Sequence, residues 1–432
     1  MKIGEEIYSW IKDLYPIKRT LAGPGFNDTL SYIKKIIPEV KINNFPSGSK
    51  VFDWTVPDEW HLRKAYIKDP DGNIVLDSGD SSLFVVGYSK KINKKLPLNE
   101  LKKNIYTLKD LPEAVPYVTS FYDSNWGFCM SYNQFINLKD GLYEIFIDSE
   151  FIKGNLKTGE YTKKGKSKKQ IIFSTYLCHP EMVNNELAAP TILVALAREL
   201  QKKNTKYTYK FLFNVETIGT LCYIQKHLQS LKENVAAGFV ITCFGDAAKP
   251  NLVPSKYGDT LADSFAKKTL SEFRNGYNHR SYFDKGSEER QYTHPNVDLP
   301  FVTITRSLFR EFEEYHTSSD NLSMVTNDSL TDSFNILSDL VDLIEAEPIY
   351  ISTTTGEPFL TKRKLYAKIS SITKSNELHN ELSTKLVNLN SYCDGKNLIS
   401  DLATLLPYSM EEIKELIDIS IENNLIKEIT VD

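Results

Sequence analysis

The sequence predicts an α/β protein with a parallel sheet at its centre, a small β-rich module inserted ahead of that sheet and a winged helix-turn-helix behind it. Three observations carry this expectation. The run Ile171-Ile172-Phe173-Ser174-Thr175-Tyr176-Leu177-Cys178 is apolar and β-branched, stops at His179-Pro180, and leads through the polar loop 181–186 into a helix opening at Pro190. A continuous apolar strand followed by a loop and a helix marks a parallel sheet buried on both faces. The same unit recurs at Tyr209–Val215 with a helix from Thr217 to Leu228, and further strands recur at Gly238–Phe244 and Leu299–Thr305. Towards the C-terminus, a short helix at Leu398–Leu406, a turn at Pro407, a longer helix from Met410 to Asn423 and a strand from Asn424 have the order of a winged helix-turn-helix.

Taken in order, residues 1–50 read as a helical part of the main domain. Apolar positions recur there at three and four residues between Ile3 and Ile37, punctuated by Pro16 and Pro24. Residues 51–140 have short alternating segments separated by turn signals such as Asp69-Pro70-Asp71-Gly72-Asn73, and read as the inserted β module. A lysine-rich stretch, 162–169, is an exposed hairpin end or loop. The α/β domain is expected over 141–355, closing with a helix from Ser329 to Ala346, and the winged helix over 361–432.

At 432 residues the chain has room for two or three domains, and 41% hydrophobic against 25% charged residues is ordinary for a globular protein. A net charge of −4 gives no reason to expect nucleic acid or an anionic membrane as the main partner. The five cysteines have no CxxC spacing, which suits free thiols in a reducing compartment. No signal-like or membrane-spanning run is present, so the expected location is the cytoplasm.

Ligands of parallel sheets bind beyond the carboxyl ends of the strands. Four strands deliver His179 with Glu186, then Glu216, Asp246 and His316, to that edge. Imidazoles and carboxylates converging in this way are what a zinc site needs. Each also has a plainer reading: a His before Pro can cap a strand end, and Gly245-Asp246 can be only a turn. Glu288-Glu289-Arg290 is a solvated ion-pair loop or a substrate contact, while Tyr122, Trp126 and Phe128 read as packing residues.

The stretches Cys178-His179-Pro180 with Asn184-Asn185-Glu186-Leu187, Glu216-Thr217-Ile218-Gly219-Thr220, Gly286–Tyr292 and Tyr315–Leu322 resemble the bacterial aminopeptidase-like family related to the M28 zinc peptidases. The inserted domain's 52–57 and 126–129 resemble that family too, so the likeness runs along nearly the whole chain. It implies an M28-type mixed sheet flanked by helices, with the inserted β domain and the C-terminal winged helix. It also implies a zinc-dependent hydrolase cleaving an amide next to a free amine, holding one or two zinc ions, with a separate Glu as general base.

His179 and His316 match the family's histidine ligands. Asn185 aligns with the bridging Asp and Glu186 lies one residue on; Glu186 is assigned the role. The usual Glu-Glu pair is Glu216-Thr217, so Glu216 is either base or ligand, and it is assigned as the base. The Asp of the third strand aligns with Cys243, leaving Asp246 as the nearest carboxylate. These departures favour one tightly held zinc or a weakened second site. The family's association with surface-polysaccharide synthesis adds sugar-linked amides to the candidate substrates, and a scaffold that binds without turnover is the alternative.

Residues 361–432 carry nine Lys/Arg against eleven Asp/Glu, and the second helix holds Glu411, Glu412, Glu415, Asp418 and Glu422 against Lys414. Such a helix repels phosphates. The winged helix is therefore expected to contact a protein partner or a second copy of the chain rather than DNA.

Overall fold

The computed structural model describes residues 2–121, 123–366 and 382–429. The main sheet has eight strands. Its centre is a parallel quartet lying side by side in the order Thr208–Asn214, Gln170–Tyr176, Val235–Ile241 and Phe301–Thr305. Antiparallel strands extend it: Asn155–Lys163 and then Lys41–Pro46 on one side, Asn251–Val253 on the other, with Asn278–His279 at the far edge. The sheet is thus mixed, with its parallel part covered on both faces.

The two-residue period of the strands sorts their side chains between two cores. Phe173, Phe211, Phe239 and Val302 face one, while Ile172, Leu212, Val240 and Phe301 face the other. On the first face Phe173 stacks between Phe211 and Phe239, with ring centroids 5.5 and 5.4 Å away. Helices Ile3–Leu14, Pro24–Ile36, Ala188–Leu200, Leu261–Glu272 and Asn327–Ala346 close over this side. The second face is covered by Ile218–Asn234, through Tyr223, Ile224 and Leu231, and by Tyr292, which stacks on Phe301 at 3.9 Å. Gly238 beside Phe301 has to lack a side chain, because a Cβ there would run into the ring.

The inserted module is a separate antiparallel sheet ordered Ile74–Asp77, Glu59–Lys68, Leu142–Ile152 and Ile92–Pro97. Its third strand lies beyond residue 140, so the module extends further than the sequence reading drew it. Leu142–Ile152 alternates, with Tyr143, Ile145, Ile147 and Ser149 buried, and this face has Glu59–Lys68 as its partner. At the other boundary, Lys41–Pro46 belongs to the main sheet rather than to a purely helical segment. Trp126 and Phe128 are buried as packing residues; Tyr122 lies outside the described residues.

The winged helix is built from Leu382–Tyr392, Ile399–Leu405 and Met410–Glu422 around its own core of Leu386, Leu389, Leu402, Ile413, Leu416 and Ile417. It begins before residue 361, because strand Ile426–Glu428 pairs with Tyr350–Ser352 from upstream. A lone strand leaves its backbone groups unpaired, and the incoming chain supplies them. Residues 430–432, expected in the wing, lie outside the described residues. Among the described residues, no helix is long and apolar enough to cross a membrane.

Replacing Phe173 with Ala should cost about 3–5 kcal/mol, since the ring is fully buried between two others and the sheet cannot close over the gap. The urea midpoint read by circular dichroism measures it; a loss below about 1 kcal/mol would contradict the packing described.

Candidate metal centre

All four parallel strands end on one edge. The chain leaves Gln170–Tyr176 through helix Ala188–Leu200 on the first face and enters the strand on one side of it. The next crossover, through Ile218–Asn234, packs Tyr223, Ile224 and Leu231 into the second core and enters the strand on the other side. Connections that diverge around one strand open a crevice at its carboxyl end. His179 lies there.

The loops around this crevice are strained. Glu181, Thr217, Cys243 and His316 have φ of 51°, 62°, 46° and 57°. For β-branched Thr217 such an angle is an outlier, and left-handed non-glycine residues persist only where the surroundings hold them. Asp320 is one such hold. Its Oδ1 accepts from the backbone N–H of Val183 at 3.1 Å and Asn184 at 2.7 Å, and its Oδ2 accepts from Asn185 at 2.9 Å. These N–H groups open a π-type turn, Val183–Leu187, which runs directly into helix Ala188–Leu200. The helix therefore starts before Pro190, which is tolerated because first-turn residues need no N–H. Burial pushes the Asp320 carboxyl up to about 6, against the pull of its three N–H donors.

The rings of His179 and His316 lie 5.0 Å apart between centroids. Tyr117 from the inserted module stands edge-on to both, at 4.8 and 5.5 Å. Backbone pairing puts it there: Tyr117 donates its N–H to the His316 carbonyl at 2.8 Å, and Ser318 donates to Val115 at 2.9 Å. Tyr315 stacks on His316 at 3.9 Å. Both imidazoles are kept neutral by burial, which lowers His316 to about 4 and holds His179 well below its ordinary value, with help from the neighbouring His316.

His179 presents its two nitrogens to different carboxylates. Nδ1 contacts Glu186 Oε1, and Nε2 lies 3.8 Å from Glu216 Oε2. Glu216 reaches Arg290 Nη2 with its other oxygen at 3.9 Å. Burial raises Glu216 to about 7, although Arg290 opposes the shift. Glu186 is fully buried, and among the described residues its Oε2 has no hydrogen-bond partner. The sequence reading overlooked Cys178, whose Sγ is 3.7 Å from His179 Nδ1; with His179 and Glu186 it forms a buried group whose ligand atoms lie within 4.8 Å of one another.

Asp246 is placed differently from its expected role as a ligand. Its Oδ2 accepts from Asn184 Nδ2 at 2.7 Å and its Oδ1 from Ala248 N–H at 2.8 Å, while Asn184 Oδ1 accepts from the Gly245 and Asp246 N–H groups. The chain turns at Cys243, so Asp246 falls past the crevice and pins the loop. Cys243 lies beside Asn185 instead, with its thiol donating to Asn185 Oδ1 at 3.6 Å. Burial holds that thiol well above its ordinary value.

Glu288 and Glu289 are buried rather than solvated. Glu288 bonds Ser174 and Thr220 beneath the crevice, and Glu289 accepts from Thr303 and the N–H groups of Gly286 and Ser287. Of the three, only Arg290 contacts Glu216.

A family model described as a domain of unknown function, DUF4910, matches residues 8–347. The chain belongs to this family. A winged helix-turn-helix model matches residues 348–428. A Clostridium acetobutylicum relative named "Putative polysaccharide biosynthesis protein with aminopeptidase-like domain" is 37% identical over 425 residues, covering 98% of this chain and 96% of that one. A crystal structure from the same species, of a "putative peptidase", superposes with a TM-score of 0.80 at 35% identity, over 99% of this DUF4910 chain and 96% of the other. The Bacillus subtilis zinc aminopeptidase matches with a TM-score of 0.56 at 12% identity, over 78% of this chain and 94% of that one. A Shewanella amazonensis M28 peptidase precursor gives 0.56 at 11%, over 79% and 95%. At such identities the likeness is one of fold: this DUF4910 protein has the M28 zinc-peptidase architecture followed by a winged helix.

Asp320→Ala should destabilise the protein by about 3 kcal/mol or more, because it leaves buried N–H donors without an acceptor at about 1–3 kcal/mol each. A chemical denaturation midpoint equal to the unaltered protein's would refute the clamp.

Glu288 supplies a pH test. Burial raises its carboxyl from 4.5 to about 7, so the unfolded chain releases this proton first. Its contribution to stability is complete below about pH 4.5 and is lost as pH rises towards 7. At about 1.4 kcal/mol per pH unit this amounts to ~3 kcal/mol. Glu288→Gln should flatten that part of the stability profile, measured by urea titrations between pH 4.5 and 8; an unchanged slope would rule it out.

Proposed function

We propose that the protein is a zinc-dependent hydrolase that cleaves an amide bond next to a free amine, using one zinc ion. The observation that carries this reading is the convergence of His179 Nε2, His316 and Glu216 at the crevice. The donor chemistry fits one ion held by two imidazoles kept neutral, with Glu216 standing beside His179 Nε2 as the base rather than as a ligand. Glu186 on Nδ1 then serves as the carboxylate that orients His179 and raises its basicity, rather than as a bridging ligand. The other half of the crevice does not fit a second ion. Neutral Asn185 accepts from the Cys243 thiol there, and Thr217 stands where a ligating carboxylate is expected from the family resemblance.

Zinc, when bound, polarises a carbonyl and acidifies a water. The residues of the chain supply the rest. Glu216, raised to about 7, is poised to accept a proton near neutral pH and to return it to the leaving amine. Arg290 holds the far oxygen of Glu216. Tyr117 walls the histidines on the side of the inserted module and limits water. Thr217 at the start of helix Ile218–Asn234 fixes the backbone from which Glu216 projects.

The winged helix belongs, in this reading, to protein contacts. Glu411, Glu415, Asp418 and Glu422 are exposed along its helix Met410–Glu422, as are Met410 and Ile421, while Ile413, Leu416 and Ile417 are spent on its own core.

Glu216→Gln should retain the fold and the zinc while lowering turnover of aminoacyl-chromophore substrates about 10²–10⁴-fold. Elemental analysis of the same samples should find one zinc per chain in both proteins. Loss of zinc in the variant would make Glu216 a ligand, two zinc ions per chain would overturn the single-ion reading, and zinc without turnover of any amide would favour a binding scaffold.

A further inference from the structure

A cavity of about 480 Å³ opens between the N-terminal segment, the inserted module and the crevice. Its size suits a small ligand. Trp60 and Tyr88 form an aromatic wall, stacked at 5.8 Å, and Tyr117 and Pro180 form the wall shared with the histidine centre. The indole N–H of Trp60 is spent on the Ser89 carbonyl, so the ring meets the cavity as an apolar surface.

Arg19 lines the same cavity and is 1% exposed. Its Nε donates to the His179 carbonyl at 2.9 Å and its Nη1 to the Leu14 carbonyl at 2.7 Å, but among the described residues its buried Nη2 has no partner. Among the described residues, no carboxylate is bonded to this guanidinium. The nearby Glu181 is held by Ser81 and Ser82. The other cations of the wall are engaged: Arg63 pairs with Asp148 and Glu150, and Lys18 donates to the Ser78 carbonyl. A buried guanidinium bonded only to carbonyls is a costly arrangement, and an anion supplied from outside relieves it.

We propose that this cavity binds the part of the substrate that bears a ring and a carboxylate, with the carboxylate paired to Arg19 and the ring against Trp60 and Tyr88. This rests on the hydrolase reading and specifies its substrate class as small acidic amides. One unpaired nitrogen suits a singly charged carboxylate better than a phosphate, which calls for several donors. Because Arg19 also bonds the His179 carbonyl, the carboxylate sits close to the bond to be cleaved. A ring with a carboxylate can come from an aromatic amino acid or from a sugar acid.

The test is binding rather than turnover, so it stands apart from the hydrolase reading. Calorimetry on zinc-loaded full-length Glu216→Gln protein would compare N-acetylphenylalanine with its amide, and glucuronic acid with glucuronamide. At least one acid is expected to bind tenfold or more tightly than its amide, and the arm in which this happens identifies the source of the ring. Adding Arg19→Gln should abolish the difference. If that variant does not fold, a crystal structure with the tighter acid decides: a carboxylate within hydrogen-bond reach of Arg19 Nη2 supports the proposal, and one placed elsewhere overturns it. Acids and amides that bind equally or not at all, or a preference that survives Arg19→Gln, would also overturn it. Turnover of neutral amides without such a preference would leave the hydrolase standing and remove this inference alone.

Discussion

The carboxylate of Asp320 accepting the N–H groups of Val183, Asn184 and Asn185 is the contact on which the crevice depends. It ties the loop after the last parallel strand to the loop after the first, across two strand positions of the sheet. His316 belongs to one loop, and His179 and Glu186 flank the other. Without this tie the two imidazoles have no reason to meet, because parallel strands deliver side chains to an edge but leave the loops beyond them free. The left-handed φ of His316 and the π-type turn at 183–187 are strains that such a clamp can hold. Burial raises the Asp320 carboxyl, which makes its three N–H donors necessary rather than decorative.

The inserted module is part of the same construction. Val115–Ser318 and Tyr117–His316 pairing joins it to the loop that Asp320 anchors, so Tyr117 reaches both histidines only while that loop is in place. On the opposite side Arg19, from the connection between the first two helices, bonds the carbonyl of His179 itself. Three segments remote in sequence thus meet at one residue. The cavity beside them is what remains when a second sheet is attached to a parallel sheet through its carboxyl edge rather than through its faces.

This explains which features could be read from the chain. The four parallel strands were legible because burial on both faces writes continuous apolar runs, and the residues just after them, His179, Glu216 and His316, follow from the rule for strand ends. The winged helix was legible from helix periodicity, although its upstream strand at Tyr350–Ser352 was not, since pairing partners leave no local trace. Asp246 was misplaced by counting along the chain: the turn at Cys243 sends it beyond the crevice to Asn184. Arg19, Tyr117 and Asp320 carry no spacing signal at all. Each acts through a contact with a partner far away in sequence, and Asp320 lies inside the Tyr315–Leu322 stretch with nothing in its spacing to mark it as an anchor.

The remaining carboxylates show how the crevice is balanced electrically. Asp320 has three N–H donors, Asp246 has Asn184, Glu288 has Ser174 and Thr220, and Glu186 has His179. Buried acids that are not paired in this way would need cations to remain charged. Where the resemblance to M28 peptidases leads one to expect such acids, this chain has Asn185, Thr217 and Cys243, which are neutral and, for Asn185 and Cys243, bonded to one another. The chain therefore carries three fewer carboxylates around the crevice than that resemblance leads one to expect. Among the described residues, Glu186 Oε2 beside His179 and the half-paired guanidinium of Arg19, which bonds the His179 carbonyl, are left short of partners.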